Sequence, residues 1–313
     1  MINKNALRLV LGLFIGQLLF ACEQDIEIEI KDDTPKIVLN GWLRSGEVPT
    51  IRLNESLGVL SNSENPPISN AEVQLYENEE LIGLMVMDEA GKYVMPSFIV
   101  KAGSSYQVKV TAANFPDVEA EVEVPYKLDD ENTNINYTTI YAAGSDSTVV
   151  ERGQIDISLK DETAESSYFL LSMLYVDEYY DAAFSEDTTV NRNLTNPPLS
   201  KDPLFQQIYV SGGAYLSFSD SYFSEASYEA NLYSDYDLRG YEYQDEFEYY
   251  SEYYLIKVEQ VSKGLYQYLL SLEDNQYPEA FTEPTQVFSN VSGGYGILGA
   301  SSDIEYKIEE KRN

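Results

Sequence analysis

Between Pro35 and Pro125 the chain is cut into short runs of β-branched and aromatic residues, and this punctuation limits what it can fold into. Lys36–Arg44, Thr50–Leu53, Ala71–Glu77, Leu81–Asp88, Gly91–Pro96 and Ser105–Ala112 each have the length and composition of a strand. Val118–Val124 reads VEAEVEV, a strict alternation that gives a strand one wet and one dry face. Gly46, Pro66, Pro67, Asn78, Gly91 and Gly103 stand in the gaps, where the backbone must turn. A helix would need apolar residues every three or four positions, and these runs do not supply them. About seven strands in roughly 90 residues predict an immunoglobulin-like β-sandwich over residues 35–126.

The polar run 127–136 (KLDDENTNIN) reads as a linker to a second β-rich domain over 137–313. A chain of 313 residues has length for about two domains. Ile155–Leu159 and Tyr168–Val176 read as strands, and 181–203 as a long loop. Val261–Asn275 carries the one clear helical period, with Leu265, Tyr268, Leu269 and Leu272 on a single face. A short amphipathic helix is expected over about 263–273, with Ser262 as its N-cap. Its stripe is expected to pack on a sheet rather than to hold a cofactor.

Residues 1–21 have the form of a signal peptide. Lys4 and Arg8 precede the apolar run Leu9–Phe20, which is shorter than the about 20 residues needed to cross a bilayer. The run ends Leu19-Phe20-Ala21-Cys22, which resembles the bacterial lipoprotein signal, with Cys22 as the lipidated residue. Several acyl chains on Cys22, each methylene contributing about 0.8 kcal/mol, would anchor the protein stably in the outer membrane. The alternative is a chance cysteine behind an ordinary signal peptide. Residues 22–34 then form an acidic tether. Its sequence CEQDIEIEI resembles the surface-export signals of Bacteroidota lipoproteins, and it reads equally as a solvated spacer with Ile26, Ile28 and Ile30 alternating.

Composition removes much chemistry. The chain has no histidine, which excludes Ser-His-Asp and Cys-His catalysis and histidine metal ligands. Cys22 is its only cysteine, so no intrachain disulfide, cysteine zinc site or iron–sulfur cluster can form. Fifty-three acidic residues against 20 basic ones give a net charge of −33, which argues against nucleic acid as a partner. No cofactor is expected beyond the covalent lipid. Calcium could gather where carboxylates cluster, but no D-x-D-x-D-G loop supports it.

CEQDIEIEI at 22–30, PKIVLNGWL at 35–43, and VSKGLYQYLLSLEDN at 261–275 followed by FTEPTQVFSNVSGGYGILGA at 281–300 together resemble the DUF4249 family of Bacteroidota lipoproteins. Glu283–Ala300 is the most specific part, and the resemblance covers nearly the whole mature chain. Genes of that family commonly lie beside TonB-dependent outer-membrane receptors. The resemblance therefore implies an accessory role beside such a receptor, and it supplies no catalytic residues. The expected function is a non-enzymatic outer-membrane lipoprotein, an accessory or ligand-capturing partner of that receptor.

Two motifs invite sharper readings. Gly294-Tyr295-Gly296-Ile297-Leu298-Gly299 matches G-x-G-x-x-G, but a dinucleotide site also needs a helix opening after it and an acidic residue about 20 positions on. A glycine-permitted turn or bulge entering a final strand, Ile304–Ile308, is expected instead. Asp220–Tyr254 carries ten tyrosines, ten acidic residues and one cation, Arg239. Tyrosine suits recognition surfaces, so Tyr241, Tyr243, Tyr249 and Tyr253 are candidate ligand- or partner-binding residues. The competing reading is ordinary strands with rings inward and acids outward. A glycosidase-like carboxylate pair among Asp235, Asp237, Glu242, Asp245 and Glu246 is the enzymatic alternative, and a structural envelope protein is the third. Asp146-Ser147-Thr148 and Asp187-Thr188-Thr189 resemble O-glycosylation acceptors of the Bacteroidota envelope.

Overall fold

The computed structural model describes residues 34–58, 61, 63–126, 128–129, 131, 133–143, 149–160, 166–181, 187–210, 213–222, 227–234, 238–244, 248–276 and 286–308. The fold is mainly β, with one helix of 14 residues, α1 (Lys263–Gln276). Among the described residues no helix is long and apolar enough to cross a membrane.

Its organising feature is an 11-stranded sheet that draws on both halves of the chain. β1 (Ile37–Arg44) lies parallel to β19 (Tyr295–Lys307), the only parallel pair among the described strands. From β1 the sheet continues through β2 (Thr50–Glu55), β6 (Lys92–Val94) and β5 (Val86–Glu89). From β19 it continues the other way through β18 (Glu248–Val261), β11 (Tyr168–Asp181), β15 (Gly213–Ser219) and β14 (Gln206–Val210). The described residues of Pro35–Leu57 and from Ser61 onward form one compact unit.

One face of this sheet is covered twice. At the β1 end lies a four-stranded sheet ordered β4 (Glu80–Leu84), β3 (Glu72–Glu77), β7 (Ser105–Thr111) and β8 (Val118–Glu123). Strict alternation buries Ile37, Leu39 and Leu43 from β1 and Val118, Ala120 and Val122 from β8 in the core between them. Leu81–Asp88, expected as one strand, is two. The chain switches sheets at buried Met85, whose N–H bonds Val73, so β4 pairs with β3 and β5 with β6. Continuous β character hides such a crossing because both sides of it are strand.

At the other end, a sheet ordered β13 (Leu199–Ser200), β16 (Ser227–Ser234), β10 (Val149–Lys160) and β9 (Thr133–Ala143) covers the same face. Ile155, Ile157, Leu159, Phe169, Leu171, Ile256 and Val258 meet between the layers. β9 begins at Thr133, inside the segment read as a linker. The 181–203 segment is not one loop, since β12 (Thr189–Thr195) pairs with β11 there and β13 follows. The sequence TVNRNLT hides β12 because five of its seven residues are exposed, leaving no apolar alternation to see.

The opposite face of the long sheet carries α1. Leu265 and Leu269 pack with Leu170, Ile208, Val261 and Ile297, as the helical stripe required. Ser262 occupies the cap position, its carbonyl accepting the Tyr266 N–H at 3.0 Å. Its hydroxyl instead accepts the Ala300 N–H at 3.1 Å, which ties the helix start to β19.

The glycine-rich stretch is strand rather than entry turn. β19 begins at Tyr295 and runs through Gly296 and Gly299, not from Ile304. At Gly299 a Cβ would stand 2.7–3.0 Å from three side-chain atoms of Leu265, so its absence lets the helix sit directly on the strand.

Candidate functional site

Between α1, which packs on β19, β14 and β11, and the adjoining strands β1 and β2 lies a cavity of about 460 Å³, a volume in the range of small-molecule sites. The pleat decides which side chains line it. Ile37, Leu39 and Leu43 turn into the sandwich core, so Asn40, Trp42 and Arg44 turn toward the helix. Arg52 stands opposite Asn40 in the β1–β2 register and joins them, with Thr50 beside it. The helix contributes Leu265, Tyr268, Leu269 and Leu272, the four residues of its predicted stripe. Val210 of β14 and Ile297 of β19 close the apolar wall.

The lining holds two arginines and no carboxylate, in a chain with 53 acidic residues and 20 basic ones. Arg44 lies with its guanidinium carbon 4.1 Å over the Trp42 ring, a cation–π contact. Its nearest carboxylate is Glu259, 3.6 Å from Nε, beyond charge-assisted hydrogen-bond length. Among the described residues the Arg44 guanidinium donates no hydrogen bond. Glu259, 3% exposed, faces Lys257 at 3.3 Å as well, and Lys257 reaches Asp303 at 3.6 Å. The Trp42 indole donates to Ser301 Oγ at 2.8 Å, and that hydroxyl points on to Glu259 at 3.5 Å. Trp42 is thus held in one orientation. Arg52 is more exposed and donates to Glu89 at 2.8 Å. Asn40 Oδ1 is buried without a hydrogen-bond partner among the described residues.

The tyrosine-rich segment lies elsewhere, at the distal end of the long β11–β18 pair, flanked by β12 and β17 (Tyr241–Gln244). Its four candidate tyrosines fall on opposite faces. Tyr241 and Tyr243 share a face with Tyr175 and Tyr250, while Tyr249 and Tyr253 share the other with Glu178. Tyr241 and Tyr243 are 55% and 44% exposed, whereas Tyr249 and Tyr253 are half-buried.

Each face has a carboxylate gripped by two phenols. Glu252 accepts from Tyr175 at 2.7 Å and Tyr250 at 2.8 Å. Glu178 accepts from Tyr253 at 2.7 Å and, more distantly, Tyr249 at 3.4 Å. Asp202 and Glu77 each accept from a single phenol, Tyr228 and Tyr106, and Glu77 also from Lys101 at 2.8 Å. In the tyrosine-rich region phenol donors thus satisfy Glu252 and Glu178 where Arg239 is the one cation of the segment. The hydroxyls of Tyr175 and Tyr250 hold the Glu252 carboxyl below its ordinary range. Burial, then the bond to Glu178, pushes Tyr253 up to about 12.

A folded-state pKa below the unfolded one contributes stability above the ordinary carboxylate range, lost as pH falls through the folded value. Glu252 is therefore expected to stay ionised on acidification after exposed glutamates have protonated. Replacing Tyr175 and Tyr250 together with Phe should return it to ordinary behaviour. Carboxyl-carbon NMR titration reads this directly, and equal midpoints in both proteins would refute it.

Among the enzymatic candidates, Glu242 is exposed on β17, while Asp235, Asp237, Asp245 and Glu246 lie outside the described residues. Cys22, the signal segment 1–21, tether residues 22–33 and Asp146-Ser147-Thr148 also lie outside them. Asp187, Thr188 and Thr189 are exposed. Among the described residues no three of His, Cys, Asp and Glu gather as a metal-holding group.

A family model described as a domain of unknown function, DUF4249, matches residues 23–307. The chain belongs to the DUF4249 family. The match spans every strand described above, so the long sheet, α1 and the cavity between them are all features of this DUF4249 chain. No curated protein is similar to it in sequence.

The cavity is what the sequence reading missed. Its lining comes from β1, β2, β14, α1 and β19, which no local pattern unites. A signal was present in Asn40-Gly41-Trp42-Leu43-Arg44, where a tryptophan sits on the face opposite the buried leucines. A large ring there needs a cover, and α1 provides it.

Proposed function

We propose that this DUF4249 chain is a non-enzymatic, ligand-capturing lipoprotein, anchored in the outer membrane through acylated Cys22 and working as an accessory of a TonB-dependent receptor. The cavity beneath α1 carries the capture part of this reading. It has the size, apolar wall and few polar groups that suit a small ligand, and its lining has no carboxylate pair of the kind glycoside hydrolysis uses. The anchor rests on the Leu19–Cys22 pattern, and the receptor on the company the family keeps.

Gentle detergent extraction of the native membrane should bring down a β-barrel receptor with the protein. Cys22→Ala should release the protein from the outer membrane and end incorporation of labelled fatty acid. Label entering the Cys22→Ala protein would sink the anchor, and repeated purification without any barrel partner would sink the receptor role.

A further inference from the structure

We infer that the cavity beneath α1 selects an amphipathic anion, with an apolar body against Trp42, Leu265 and Leu269 and a carboxylate or phosphate head at Arg44 and Arg52. This rests on the capture reading above and specifies its ligand.

Charge is the first argument. A site on a surface of net charge −33 repels anions unless its own lining reverses the local potential. Here the lining itself has two cations and no carboxylate, the carboxylates nearest them, Glu259 and Glu89, standing outside it. A neutral apolar ligand would gain nothing from those cations.

Unspent donors are the second. Arg44 presents five N–H groups in a planar fork, and among the described residues none makes a hydrogen bond. Stacking on Trp42 fixes the guanidinium plane, while the indole is itself fixed by Ser301. A planar fork held in place and left undonated is matched by a carboxylate or phosphate, which takes two parallel bonds from it. Arg52 has one bond to Glu89 and four remaining donors to offer.

Packing is the third. Leu265 and Leu269 are buried at the helix–sheet contact, yet they also line the cavity, so a ligand's apolar body would continue an existing core.

Trp42 is the only tryptophan in the chain, so its fluorescence reports on this cavity alone. The full mature chain would be titrated with decanoate, decyl phosphate, decanol and decylammonium, all below micelle formation. Both anions should bind at least tenfold more tightly than decanol, and decylammonium more weakly. A preference for decyl phosphate over decanoate would point to a phosphate-headed lipid as the source, and the reverse to a free carboxylic acid. Arg44→Gln should bring the anions down to the affinity of decanol while decanol is unaffected. Should that variant fold poorly through its contact with Glu259, Arg52→Gln should lower the anion preference on its own. Decanol and decanoate binding equally well would overturn the anion inference and leave ligand capture standing. Silence of Trp42 toward all four probes would overturn capture itself.

Discussion

Gly296→Ala should lower stability by about 2–5 kcal/mol, enough to remove much of the margin of a typical domain. Gly296 has φ of +103°, a conformation that costs an L-residue roughly 1–2 kcal/mol. Its missing Cβ points at the backbone of Leu39, the residue it faces in the parallel β1–β19 register. A methyl there would overlap the Leu39 carbonyl oxygen and lie 2.8 Å from the carbonyl carbon. Backbone in the middle of a sheet cannot swing aside like a side chain, so overpacking adds about 1–3 kcal/mol. Gly46 supplies the control. Its φ is +87°, but a Cβ there meets nothing within 4 Å, so Gly46→Ala should show the conformational part alone. Urea unfolding of the two variants separates the effects. Equal midpoints would mean that the close approach of β1 and β19 is not what excludes a side chain at Gly296.

Asn290→Ala should be comparably damaging, for a different reason. β18 pairs with β19 only from Ser301 onward, which leaves the edge of Tyr295–Ala300 on that side without a strand neighbour. Side chains take its place. The Asn290 carboxamide accepts the Leu298 N–H at 2.9 Å and donates to the Leu298 carbonyl at 2.9 Å, imitating one rung of a sheet. Ser262 closes the next rung, accepting the Ala300 N–H through its hydroxyl and donating its own N–H to the Ala300 carbonyl at 2.8 Å. Leu298 is completely buried, so both of its backbone groups would be stranded away from water. Each stranded group costs about 1–3 kcal/mol, or about 2–6 kcal/mol together. Hydrogen exchange at the Leu298 amide is the sharpest test. Protection that survives in Asn290→Ala would show that another group had taken over the bond.

These two residues explain why the stretch Gln286–Ala300 is so distinctive. The glycines let a late strand lie against β1 and under α1. Asn290 then seals the edge left open by that insertion. Packing accounts for glycines of the literal G-x-G-x-x-G match, Gly296 against Leu39 and Gly299 against Leu265. The stretch also supplies Ile297 to the cavity wall, so the segment that completes the sheet helps to shape the site.

The sequence by itself determined that the first half is a series of short strands and where the helix lies, though not that Leu81–Asp88 divides between two sheets. The β-branched run KIVLNGWLR and the alternation in VEAEVEV record local strand character, and the stripe of α1 only its helical turn, so all can be read without knowing any partner. The pleat of β1 sets Trp42 and Arg44 opposite the buried leucines, and the fold decides what covers them. Tertiary structure alone decided that β1 pairs with a strand more than 250 residues away, that β12 is held at a polar edge, and that tyrosine hydroxyls serve Glu252 and Glu178. It alone made the cavity, because the gap lies between elements whose facing side chains are dispersed through the chain. Periodicity records which face of an element turns inward, whereas partner choice and the space between partners depend on long-range packing, which leaves no local pattern in the sequence.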